Sequence, residues 1–145
     1  MSRALARLGL GALLLFTGTG HLSFLRREFV AQVPESLPLD PDDVVVASGF
    51  VGLGLASALI AAPPSQRYSV GLIVAAFFVA VFPGNVSQYV TRRSAFGLDT
   101  DNKRFARLFF QPVLVAAALW SAGVGGRRRP GSDERRERWR RDGKD

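Results

Sequence analysis

The chain has 145 residues, 48% of them hydrophobic, with 19 basic and 12 acidic side chains and a net charge of +7. The two classes are segregated. No charged residue occurs from 44 to 62 or from 68 to 91, and runs of that length read as transmembrane helices, whereas a soluble domain interleaves polar residues at a helical or strand period. The absence of cysteine excludes thiol–disulfide exchange, thiolate metal ligation and cysteine-held iron–sulfur clusters on this chain. The positive charge is largely terminal, where it reports membrane topology more economically than nucleic-acid binding.

A first helix is predicted over residues 4–24, which at ~1.5 Å per residue spans about 31 Å, close to the ~30 Å hydrocarbon core. Arg3 and Arg7 mark one end, and Arg26 and Arg27 the other. Ala4, Arg7, Gly11, Leu14, Gly18 and His21 recur at steps of three and four and so share one face. Gly11 and Gly18 make that face narrow enough for a neighbouring helix to approach, so His21 is expected to meet protein rather than lipid. The basic start and the small residues Gly18-Thr19-Gly20 also suit a cleaved leader. The apolar stretch exceeds the ~7–15 residues of a signal core, however, and is read as a membrane helix.

The first loop, 25–43, carries Pro34, Pro38 and Pro41 among five acids, with a helical turn or two expected within 26–32 and extended or turn geometry after it. A second helix is predicted over 43–62. Its Ser48, Gly52 and Ala56, and likewise Gly54 and Ala58, stand four apart, the small-residue pattern of closely packed membrane helices. The short turn at 63–67 makes the second and third helices antiparallel neighbours. The third helix, 67–90, contains Val81-Phe82-Pro83-Gly84-Asn85. Pro83 removes one backbone hydrogen bond and frees the Val79 carbonyl, and Asn85 adds an amide; in lipid both need partners. After a polar loop from Thr91 to Lys103, the fourth helix is predicted over 104–124, with Arg107, Gln111, Leu114, Ala118 and Ser121 on one face. Pro112 is expected to bend or loosen its outer third, and Trp120 to sit at the opposite interface. Residues 125–145 hold nine basic and five acidic residues with Trp139 as the single large apolar one, the composition of a disordered basic tail.

The expectation is an all-α, transmembrane four-helix bundle over residues 1–124, with both termini on one side. That side holds twelve basic residues against six on the other, which has seven of the twelve acids. The positive-inside rule places the termini in the cytoplasm. His21, Asn85, Arg107 and Gln111, with Ser48 one turn inside the second helix, then lie at one depth near the outer surface. Inward-facing polar residues at membrane depth are candidates for binding. The candidate pocket is therefore His21, Ser48, Asn85, Arg107 and Gln111, supported by Pro83, Gly84 and Pro112. A structural reading stands beside it, in which His21 and Asn85 bond helix ends and loop backbone, Arg107 snorkels to headgroups and Gln111 bonds a neighbouring helix. No catalytic set is visible. One histidine cannot hold a haem from both faces within one chain, and no cluster has metal-ligand spacing. No carboxylate lies in the membrane core to relay protons, and Ser48 has no paired base. The glycines of Gly9-Leu10-Gly11 and Gly52-Leu53-Gly54 lie in apolar helices and match no phosphate loop.

Taken in order, Gly20-His21, Val33-Pro34 with Leu37-Pro38, Ser48-Gly49, Val81-Phe82-Pro83-Gly84-Asn85 and Arg107-x-x-x-Gln111-Pro112 resemble the DoxX-like family of small four-helix membrane proteins, from residue 4 to residue 120. The resemblance implies a fold and a place in the cytoplasmic membrane. Some relatives are associated with quinone-linked oxidation of sulfur compounds, others with oxidative-stress complexes or membrane-protein assembly. Relatives often carry an acidic residue where this chain has Gly52, and alanine where it has Gly84. The function expected is that of an accessory or partner-binding subunit without catalysis of its own. The competing reading is a membrane subunit of a quinone-linked oxidoreductase complex, holding a quinone or lipid-like ligand near the outer leaflet; a quinone cofactor belongs to that reading alone. Expected partners are the lipid bilayer, membrane or soluble redox proteins and a second copy of the chain, and no nucleic acid, since the basic tail lacks the interleaved aromatics of a nucleic-acid reader. The scarcity of buried charge and the absence of inverted repeats argue against a transporter.

Overall fold

The computed structural model describes residues 2–125; all but the first residue of the segment expected to be a disordered tail lies outside the described residues. Five helices follow in order: α1 (Arg3–Leu22), α2 (Arg26–Val30), α3 (Pro41–Ala61), α4 (Arg67–Val90) and α5 (Asp101–Ala122), with no strand among the described residues. The four long ones are long and apolar enough to cross a membrane, and α2 is the short turn expected within the first loop.

Local chemistry sets the boundaries. Ser2 caps α1 by accepting from the Leu5 N–H. Asp40 caps α3 by accepting from the Asp42 N–H, with Pro41 as the first helical residue. The third proline of the loop thus opens a helix instead of extending the loop, and α3 starts two residues before the predicted 43. Thr100 caps α5 through the Lys103 N–H, so Asp101-Asn102-Lys103 is helix where a polar loop was expected. At the other end, Gly123 takes the left-handed conformation at φ 87°, and the Gly123 and Val124 N–H groups close on Trp120 and Leu119.

Two tight helix pairs make the bundle: α1 packs chiefly on α3, and α4 chiefly on α5, with α1 also touching α5. Although joined by a short turn, α3 and α4 meet less extensively than either meets its main partner. Glycines let the pairs close. A Cβ at Gly18 would stand 3.1 Å from the Gly49 carbonyl, and one at Gly71 only 2.4 Å from the Ala122 Cβ. The α1 face predicted from its spacing is the buried one at Gly11, Leu14 and Gly18, and the α5 face is buried at Gln111, Ala118 and Ser121. Of the two small-residue rows on α3, Gly52 and Ala56 are buried, whereas Gly54 looks into open space. Leu10, Leu14, Ala56, Leu59, Val74, Ala75, Phe78 and Ala118 form the dry centre. The outside is equally apolar: Phe16, Phe50, Ile73, Val79, Phe109 and Val113 are all exposed, as in a helix bundle whose solvent is lipid.

α4 continues seven residues past Pro83 to Val90, and α5 runs on through Pro112. Neither proline ends its helix. Pro83 and Pro112 both lie on exposed positions of their helices.

Candidate functional site

At the end of the bundle that carries α2 and the 91–100 loop, a cavity of about 580 Å³ lies between α1, α4 and α5. His21 enters it from α1, Asn85 from α4, and Arg107 and Gln111 from α5. Four of the five predicted pocket residues thus meet. Ser48 does not line the cavity. Its neighbour Gly49 is the residue that faces α1, where a Cβ would come 2.9 Å from the His21 Cβ, and one helical step (about 100° at 3.6 residues per turn) turns Ser48 aside.

Arg107 is the hub of a directed hydrogen-bond network. Its Nε donates to Asn85 Oδ1 at 3.1 Å, and Asn85 Nδ2 donates to Gln111 Oε1 at 3.0 Å. Gln111 Nε2 in turn donates to the Phe78 carbonyl of α4. In a second arm Arg107 Nη2 donates to Gln32 Oε1 at 3.4 Å, Gln32 Nε2 to Gln88 Oε1 at 2.6 Å, and Gln88 Nε2 to the Ala95 carbonyl at 3.2 Å. Each carboxamide accepts from the Arg107 side and donates away from it. Such chains polarise cooperatively and spread positive charge. The carboxamides are well buried: Asn85 is 8% exposed, Gln111 6%, Gln32 7% and Gln88 1%. The carbonyl that finds a donor is that of Phe78, one residue before the Val79 carbonyl that Pro83 was expected to free. Gly84 has a separate use, since a Cβ there would come 3.3 Å from the Gln32 carbonyl; its small size admits the segment that carries the second arm.

Aromatic rings close the mouth. The His21 ring stacks on Phe29, with centroids 3.4 Å apart, and Phe29 meets the edge of Phe96 at 4.7 Å. Phe96 in turn lies under the Arg107 guanidinium at 4.6 Å. His21 Nδ1 lies 2.6 Å from the Thr17 carbonyl, so that nitrogen carries the proton, and in the neutral ring Nε2 keeps a lone pair. Phe96 holds an unusual backbone, φ 55°, which costs a bulky residue on the order of 1–3 kcal/mol. The Glu28 carboxylate holds it there by accepting the Phe96 N–H at 2.7 Å. Around it, Arg93 donates to the Ala31 carbonyl and pairs with Glu35. The buried Arg104 ties the 91–100 loop to α5 through the Arg93 carbonyl, Ser94 and Asp101.

The electrostatics are one-sided. Arg26, Arg93, Lys103 and Arg104 each have a carboxylate partner. In the loop, the Lys103 ammonium hydrogen-bonded to Asp99 holds that carboxyl below its ordinary range. Arg107 has no carboxylate within 4.0 Å among the described residues, and no acid lines the cavity. No group of three His, Cys, Asp or Glu side chains comes together as metal ligands among the described residues. The arrangement can hold a molecule whose polar end accepts hydrogen bonds; it offers no nucleophile paired with a base.

Gln32, Gln88, Phe29 and Phe96 belong to the site although sequence reasoning did not select them. A signal existed for Gln88, which stands three after Asn85 on the face of α4 that also buries Gly71, Val74 and Phe78. No local pattern marks the other three, which come from α2 and from loops.

No curated protein and no solved structure matches the chain. A family model described as a domain of unknown function, DUF8561, matches residues 10–122, from the middle of α1 to the end of α5. The match takes in α1 from residue 10, the whole of α3, α4 and α5 and every residue that lines the cavity, and the chain belongs to the DUF8561 family.

Proposed function

We propose that this protein is a four-span protein of the cytoplasmic membrane, DoxX-like in design, that holds a lipid-like molecule in its cavity and serves a larger assembly as an accessory subunit without catalysis of its own. The observation that carries the reading is the cavity itself: about 580 Å³, within the ~300–1,000 Å³ typical of ligand sites, polar at Arg107 and apolar along Leu13, Leu14, Phe77, Phe110 and Leu114. The excess of basic residues on the side of the termini supports cytoplasmic ends, which puts the cavity mouth toward the outer leaflet. Affinity purification of the full chain from its native membrane, with proteins identified by mass spectrometry and lipid extracts analysed alongside, tests both halves of the reading. Chain that returns alone and free of any amphiphile rejects them.

A quinone-linked oxidoreductase subunit is the second reading. The stacked His21 and Phe29 rings, with neutral carboxamides beside them, favour it, because carbonyl oxygens accept such donors and flat rings stack on aromatics. Purified complex without extractable quinone and without quinone-dependent activity rejects it.

A further inference from the structure

We infer that the molecule in the cavity is an amphiphile with an oxyanion head, such as a long-chain carboxylate, and that Arg107 pairs with that head. The inference rests on the reading of the cavity as a lipid-like site and adds the charge of its occupant.

Three observations on the Arg107 side chain lead there. First, a guanidinium has five N–H donors, and the network uses one on Nε and one on Nη2. Nη1 donates to no protein group, yet it is not sealed, since Arg7 Nε is the buried side-chain atom without a partner among the described residues. Arg107 lines the cavity, and Nη1 with the second Nη2 hydrogen are the donors its side chain has left for a ligand there. Two parallel N–H groups in a plane fit the two oxygens of a carboxylate or phosphate. Second, both side-chain acceptors given to Arg107 are neutral amides. They orient the guanidinium without cancelling its charge, and an ionised side chain at membrane depth is costly until an opposite charge meets it. Third, the other cation lining the cavity, Lys103, already has Asp99 at 2.7 Å. The charge left for a ligand is therefore that of Arg107.

The rest of the cavity limits the ligand to an amphiphile. Beyond the polar end the walls are Leu13, Leu14, Phe16, Phe77, Phe110 and Leu114, which suit an alkyl chain, and the Thr17 hydroxyl among them already donates to the Leu13 carbonyl at 3.0 Å. A free inorganic anion would leave that apolar length unfilled.

The full-length protein in nanodiscs of phosphatidylcholine tests this with radiolabelled palmitate as probe, and with palmitate, lysophosphatidate, methyl palmitate and palmityl alcohol as competitors. Saturable binding is expected, displaced by the two anions and at least tenfold less well by the two neutral compounds. The relative strength of palmitate and lysophosphatidate identifies which oxyanion the site takes, and either one supports the inference. Arg107→Gln should weaken palmitate binding at least tenfold, and Arg107→Lys should restore part of it. The comparison among competitors uses the wild-type chain alone, so it stands even where a variant does not fold. Equal displacement by neutral and anionic compounds overturns the oxyanion inference while leaving the lipid-like cavity in place. Failure of all four compounds to bind overturns both.

Discussion

Asn85→Ala is the substitution that weighs most on the proposed site. It removes the acceptor of Arg107 Nε and the donor to Gln111 Oε1 together. The first bond is charge-assisted, a class worth about 1.5–3 kcal/mol net, and its lower end applies because Arg107 is only half-buried. The second is an interhelical bond between neutral amides, for which measured values in membrane bundles average about 0.6 kcal/mol and reach about 1.7. The sum is roughly 2–3 kcal/mol of lost stability. Titration of the detergent-solubilised protein with sodium dodecyl sulfate, followed by far-ultraviolet circular dichroism, measures it. Asn85→Asp is the companion. Its carboxylate would stand opposite Arg107 and neutralise it while losing the bond to Gln111 Oε1, so binding of an anionic amphiphile should be lost with part of the stability retained. An Asn85→Ala protein that unfolds within about 0.5 kcal/mol of the wild type, the range of an unremarkable surface change, would refute the network as a source of stability.

Other expectations follow from the same contacts. Gly49→Leu should drive α3 from α1 at His21, since a Cβ there already comes 2.9 Å from the His21 Cβ; overpacking costs about 1–3 kcal/mol, read in the same titration. Gly54→Ala meets nothing within 4 Å and should stabilise α3 by up to about 1 kcal/mol through helix propensity, so a loss there would show that this face is occupied. The Asp99 carboxyl is held below its ordinary range by Lys103. Its contribution is therefore complete above the unfolded value of about 3.9 and is lost as pH falls through the lower folded value. Amide exchange across 98–103, corrected for intrinsic rates, should accelerate below about pH 4 in the wild type, and Asp99→Asn should be fast at every pH. Glu28→Ala should release the strained Phe96 backbone and raise exchange at the Phe96 amide, whereas Glu28→Gln, which keeps an acceptor, should not.

Much of this structure was readable because lipid permits few exceptions. An uncharged run such as 68–91 has one common explanation, and polar residues within membrane helices must find partners, so the common depth of Asn85, Arg107 and Gln111 already points to their contact. The helix faces of α1 and α5 followed from spacing alone. Ser48 shares the depth of the other polar residues but not their direction, because depth alone leaves the rotation of α3 open and Gly49, one position on, is the residue that approaches α1 at His21. The start of α5 was set too late because Asp101-Asn102-Lys103 is as polar as a loop, and the Thr100 cap that makes it helical is a single hydroxyl. Gln32 escaped notice because a glutamine in a loop is ordinary; its burial depends on Gly84, more than fifty residues away. The closure of Phe29 over His21 and Phe96 over Arg107 is tertiary throughout, and no periodicity encodes it.

The one-way sense of the carboxamide network bears on how the helices are indexed in lipid. Burial from lipid gives an apolar helix little reason to prefer one rotation about its axis over another, because hydrocarbon and neighbouring leucines are nearly equivalent surroundings, and the choice falls to close packing and to hydrogen bonds. A carboxamide has a donor end and an acceptor end, and here each must match the next from Arg107 to the Phe78 and Ala95 carbonyls. Turning α4 or α5 by one residue, or reversing one amide, sets like against like along the whole arm. Four uncharged side chains thus act as a key that admits one angular setting of α4 against α5, and the apolar surfaces that make the protein soluble in a membrane are left free of that task.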